Sequence, residues 1–115
     1  MDLNHLHLHV RDVERSHRFY HIWFGLDHRV RHGDILFLSN PDGFDLALAP
    51  DPDPQPLPAW WHFGFRLASA DHVRRLHRRM CDAGVSLTRP LADDPDYITF
   101  QCADPDGYRI EVYWE

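Results

Sequence analysis

The sequence predicts an α+β fold built from two copies of one strand–helix–three-strand (βαβββ) module. Three observations carry this. Two Pro-Asp-Gly turns, Pro41–Gly43 and Pro105–Gly107, lie 64 residues apart (105 − 41), and each opens onto a strand-like stretch. Two His-bearing alternating stretches, around His5 and His62, lie 57 residues apart (62 − 5). Between the halves, Pro50, Pro52, Pro54, Pro56 and Pro58 form a run that neither pairs in a sheet nor sustains a helix, so it reads as a stiff extended linker. The predicted division is a first module at 1–49, a linker at 50–58 and a second module at 59–115, all within one domain. A chain of 115 residues suits one modest core.

Each element has its own signal. From Leu3 to Val10 the chain alternates, with Leu6, Leu8 and Val10 on one face and His5, His7 and His9 on the other. Asp12 can cap the helix that follows. Val13, Phe19, Tyr20, Trp23 and Phe24 share one side of it, and Gly25 ends it. Short strands are predicted over 27–32 and 34–39, joined at Gly33, with a fourth over 44–49 after the Asn40-Pro41-Asp42-Gly43 turn. In the second half a strand is predicted over 60–67. Ser69 is a candidate cap, and Val73, Leu76, Met80 and Ala83 mark the buried side of a helix ended by Gly84. Strands over 85–91, 97–103 and 108–114 complete the pattern. The seven extra residues of the second half (64 − 57) belong between its helix and its last strand.

Composition narrows the chemistry. The formal charge of −6 argues against nucleic acid or an acidic membrane surface as partner. All 12 basic residues are Arg, which excludes a Schiff-base or general-base lysine. The cluster Arg74, Arg75, Arg78 and Arg79 reads as the solvated side of its helix. Ten His favour metal or proton-transfer chemistry. Cys81 and Cys102 make no disulfide framework and read as free thiols in a reducing compartment. The first residues alternate without the apolar core of a signal peptide, and no apolar run reaches membrane-spanning length. The expected location is cytoplasmic.

Register the two Pro-Asp-Gly turns and Glu111 falls opposite Ala47. Register the two first strands and His5 falls on His62. Paired inward-facing His in two half-modules need polar partners. These residues resemble the vicinal oxygen chelate superfamily, which includes glyoxalase I, extradiol dioxygenases, fosfomycin-resistance enzymes and bleomycin-resistance proteins. The resemblance rests on Asn4-His5-Leu6 with Val10-Arg11-Asp12, Ser16, Phe19-Tyr20 and Gly25-Leu26. It rests also on His62-Phe63-Gly64-Phe65, and on Asp104-Pro105-Asp106-Gly107 with Ile110-Glu111-Val112. It implies paired modules curled into a mixed-sheet cup around a divalent metal, with His5, His62 and Glu111 as ligands. Family members commonly dimerise, so a homodimer is expected. Ala47 leaves a fourth ligand place empty, which points away from glyoxalase I.

Two imidazoles and a carboxylate suit Fe(II) first, with Mn(II), Zn(II) or Ni(II) as alternatives, and leave positions for water and substrate. His7 and Tyr113 are the candidate catalytic groups. His9, Arg66, Arg109, Tyr97 and Trp60 are candidates for substrate binding. The function this implies is a metal-dependent enzyme acting on a small oxygen-rich molecule, dioxygenase-type first. Alternatives are a glyoxalase-like lyase or isomerase, a fosfomycin-type transferase, or an antibiotic-binding resistance protein. Against the fosfomycin type stand the absence of Lys and the acidic stretch Asp93-Asp94-Pro95-Asp96, expected to repel a phosphonate.

Overall fold

In a computed structural model all residues, Met1–Glu115, are described. The first module runs β1 (His5–Val10), α1 (Val13–Phe24), β2 (Asp27–His32), β3 (Ile35–Ser39) and β4 (Asp45–Pro50). The second runs β5 (Phe63–Arg66), α2 (Ala70–Asp82), β6 (Leu87–Asp94), β7 (Tyr97–Ala103) and β8 (Arg109–Trp114). Each module folds its strands into one four-stranded mixed sheet, ordered β1-β4-β3-β2 and β5-β8-β7-β6. The chain divides into two units at Pro56/Leu57, within the Pro-rich run.

In the first module β1 pairs parallel with β4, His7 opposite Ala47. Leu8, Val10, Leu46 and Leu48 are fully buried or nearly so, and Tyr20 and Ser16 of α1 are fully buried. His5, His7 and His9 line the opposite, exposed face of β1, as the alternation predicts. Asp12 caps α1, its side chain accepting from the Arg15 amide at 3.0 Å. Gly25 closes the helix at φ 64°, a conformation that costs a residue with a Cβ.

In the second module β5 pairs parallel with β8, Gly64 opposite Glu111. Val73, Leu76 and Met80 of α2 are buried, as are Ile98, Phe100, Cys102, Ile110 and Val112 on one face of the sheet. Ser69 caps α2 by accepting from the His72 amide at 3.2 Å. The predicted repeat holds in the strand register. Adding 57 to His7 and 64 to Ala47 gives Gly64 and Glu111, the pair that faces across β5 and β8. The extra length of the second half lies largely in the β6–β7 hairpin, whose strands have 8 and 7 residues against 6 and 5 in β2–β3.

Some boundaries differ from expectation. β5 is short: Trp60, Trp61 and His62 precede it in a turn stabilised by the Trp61 amide donating to the Pro58 carbonyl. β6 starts later and runs on through Asp94, and its pairing slips around Pro90, which has no amide proton for the ladder. Ala83, expected on the buried side of α2, is its exposed C-cap. Cys81 is exposed and Cys102 buried, both free. No helix is long and apolar enough to cross a membrane.

Candidate functional site

The polar face of the second module carries the most organised chemistry. Because strands alternate, Arg109, Glu111 and Tyr113 of β8 share one face. The register adds Gly64 and Gln101 beside Glu111, and Arg66 and Thr99 beside Tyr113. Gly64 lets β5 approach closely here: a Cβ would stand a tight 3.2 Å from the Glu111 carbonyl oxygen and 3.5 Å from the Glu111 Cβ.

The Glu111 carboxylate is held through one oxygen. Oε1 accepts from the Tyr97 hydroxyl at 2.6 Å and from the Thr99 hydroxyl at 2.9 Å. Oε2 lies 3.5 Å from His62 Nε2. Burial pushes this carboxyl up. The Tyr97 and Thr99 hydrogen bonds, with His62 and Arg89 nearby, outweigh burial and leave it below its ordinary value. The same bond to Glu111, assisted by burial, raises Tyr97, which therefore stays protonated and donating.

His62 is oriented from behind. Its Nδ1 lies 3.0 Å from the Trp60 carbonyl oxygen, which can only accept, so Nδ1 carries the proton. In the neutral ring Nε2 is then a lone pair facing a carboxylate oxygen at a distance too long for a hydrogen bond. Two electron-rich atoms set this way suit a cation between them. In the first module His5 repeats the pattern, with Nδ1 3.1 Å from Asn4 Oδ1. The donor set, imidazole Nε2 and a carboxylate oxygen with its second oxygen engaged, fits a divalent first-row metal. His62 and Glu111 lie together in the second module, His5 belongs to the first, and no set of three or more His, Cys, Asp or Glu side chains is placed to hold a metal ion.

The other candidates divide. Tyr97, expected to meet substrate, gives its hydroxyl to Glu111, and its ring lies 6.2 Å from that of Tyr113. Arg66 donates from Nη2 to the Glu115 carbonyl at 2.6 Å. Arg109 is half-buried, on the face of Glu111. Trp60 is 73% exposed, and its contribution to the face is the carbonyl that holds His62. His9 pairs with Asp51 of the Pro-rich run at 2.8 Å, which lowers the Asp51 carboxyl, while His7 stacks obliquely on His9 at 5.5 Å.

Two contributors carry no motif of their own. Thr99 and the Trp60 carbonyl reach the site only through strand register and a turn. Asp45, opposite His5, holds Arg29 at 3.1 Å, and Arg29 also lies over the Phe37 ring. Within the acidic stretch at residues 93–96, Arg74 forms two hydrogen bonds to Asp93 at 2.7 and 2.8 Å and a third to Asp71, sharing its one positive charge between the two carboxylates.

Comparisons with known proteins agree on the family. Residues 2–112 match the profile of the Glyoxalase/Bleomycin resistance protein/Dioxygenase superfamily. The chain is 30% identical to the glutathione transferase FosA of Serratia marcescens, over 96% of this chain and 79% of that protein. Among solved structures, a possible glyoxalase from Bacillus cereus superimposes with a TM-score of 0.83 at 30% identity, covering 97% of both chains. The fosfomycin resistance protein FosX of Listeria monocytogenes shares the fold, with a TM-score of 0.85 at 18% identity over 100% of this chain and 93% of its own. On its sequence and its fold, this chain belongs to the Glyoxalase/Bleomycin resistance protein/Dioxygenase superfamily.

Proposed function

We propose that the protein is a divalent-metal-dependent enzyme acting on a small oxygen-rich organic molecule. Its ligands are His62 and Glu111, with His5 supplied by a first module, either its own or that of a partner chain in a homodimer. The observation that carries this is the orientation of the donors. Glu111 spends Oε1 on Tyr97 and Thr99 and turns Oε2 to His62, whose Nδ1 proton is held by Trp60. A bound Fe(II), Mn(II), Zn(II) or Ni(II) would supply Lewis acidity and a template for two substrate oxygens.

The chain's own groups serve the substrate. Arg109 offers a guanidinium to an anionic oxygen. His7 lies two residues along β1 from His5 and is the candidate to take a proton from a substrate hydroxyl. Tyr113 offers a hydroxyl on the Glu111 face. Two imidazoles with one carboxylate favour a dioxygenase-type reaction. A second reading, glutathione transfer, is favoured by the likeness to FosA and by the Arg74–Asp93 pairing, which lessens the repulsion of an anionic substrate.

Metal content of the purified protein and of Glu111→Ala tests the site, and equal content in both sinks it. Oxygen uptake by anaerobically iron-loaded protein with catechol-type substrates supports the first reaction. Consumption of glutathione with fosfomycin by the manganese-loaded protein supports the second. A metal-free protein whose ligand binding survives Glu111→Ala would instead be a binding protein.

A further inference from the structure

We propose a metal site on α1 separate from Glu111, in which His17 and His21 offer their Nε2 atoms to one late first-row ion such as Zn(II) or Cu(II). The two residues are one helical turn apart and therefore share a face. Their rings lie 6.3 Å apart, centroid to centroid. Two imidazoles on one tetrahedral ion, at metal–nitrogen distances of about 2.1 Å, place their ring centroids roughly 5.3 Å apart. The observed spacing is wider by about 1 Å, which a rotation of His17 toward His21 closes while the His21–Asp27 contact stays in place.

The second observation is what stands behind each ring. His21 Nδ1 is 2.8 Å from Asp27 Oδ1, and His17 Nδ1 is 3.9 Å from Glu14 Oε2. A carboxylate at Nδ1 keeps the proton there, leaves the lone pair on Nε2 and makes that nitrogen more basic, the arrangement that orients metal-binding imidazoles. Here it is formed at His21, whereas His17 Nδ1 lies beyond hydrogen-bond distance of Glu14. Glu14 is itself fixed by Arg31 at 3.0 Å. Only two protein ligands are offered, since no group of three is placed to bind. Water completes the shell, and imidazole donors select Zn(II), Cu(II) or Ni(II) over Mg(II) or Ca(II). His21 lies in the last turn of α1 and Asp27 opens β2, so the bound ion would brace the helix end against the strand after Gly25.

Calorimetric titration with zinc chloride tests this in Glu111→Ala protein, where the family site has been removed. One equivalent should bind, and the added change His17→Ala/His21→Ala should abolish it. Asp27→Asn, which keeps both imidazoles, should weaken binding by about 10-fold or more. Zinc should raise the melting temperature of the Glu111→Ala protein and leave that of the His17→Ala/His21→Ala form unchanged. Undiminished zinc binding after His17→Ala/His21→Ala overturns the proposal, as does unchanged affinity in Asp27→Asn. Loss of metal from Glu111→Ala at the family site bears on neither outcome.

Discussion

Glu111 and His62 are each gripped on the side away from one another. This grip decides what single changes should do. Thr99→Val and Tyr97→Phe each remove one donor from Oε1 and free the carboxylate to rotate. Metal affinity is expected to fall about 10- to 100-fold in either, a range typical of losing a group that orients a ligand. Titration with Mn(II) followed by electron paramagnetic resonance checks this. The metal-free protein should respond to acid. A carboxyl lowered by folding stabilises the native state above its unfolded value and loses that contribution as pH falls through the folded one. For Glu111 this loss lies below about pH 4.5, and Thr99→Val should shift it upward, as urea midpoints across pH 2–6 would read. The repeat set His5 on His62 and Glu111 opposite Ala47, and the role of His5, His62 and Glu111 as ligands came from the family resemblance. Thr99 was not legible, because a hydroxyl on the strand beside the motif-bearing one becomes a partner only once β7 and β8 take their register.

At the level of elements, the caps and turns were the most readable signals. Asp12, Ser69 and Gly25 act where local chemistry places them, since a capping side chain needs only its own helix. Ser69→Ala should cost about 1 kcal/mol in urea unfolding. Strand ends read less well. Trp60 to Phe65 alternates enough to suggest a longer strand, yet β5 begins at Phe63 because the chain turns at Pro58–Trp61. β6 outran its prediction because an edge strand tolerates Pro90 with a slipped register, which hydrophobic pattern alone does not signal. The Arg74–Asp93 clamp between α2 and β6 was equally hidden: four Arg on a polar helix face look alike until a strand brings one acid to one of them.

For the whole molecule, two modules with one topology mean two sheet-and-helix cores, each with its own buried residues. Phe100, 1% exposed, sits edge-to-face with His77 at 5.1 Å, and Phe100→Ala should cost about 3–5 kcal/mol in thermal or denaturant unfolding. Mixing His5→Ala chains with Glu111→Ala chains and measuring bound metal identifies which chain gives His5. Recovery of metal in the mixture means the site is shared between chains. The module plan was legible because duplication leaves a length signature, 57 and 64, that survives where individual residues have diverged.

The strand register carries one more consequence. At the matched position the first module sets a large His7 against a small Ala47, and the second sets Gly64 against a large Glu111. Between the halves, bulk has changed sides across the same pair of parallel strands. Ala47 is 5% exposed, so Ala47→Glu alone should be strongly destabilising through crowding and a buried charge. His7→Gly should relieve part of that penalty, giving a favourable coupling in a double-mutant cycle. A carboxylate at this place therefore goes with a gap across the strand pair, which Ala47→Glu alone does not supply.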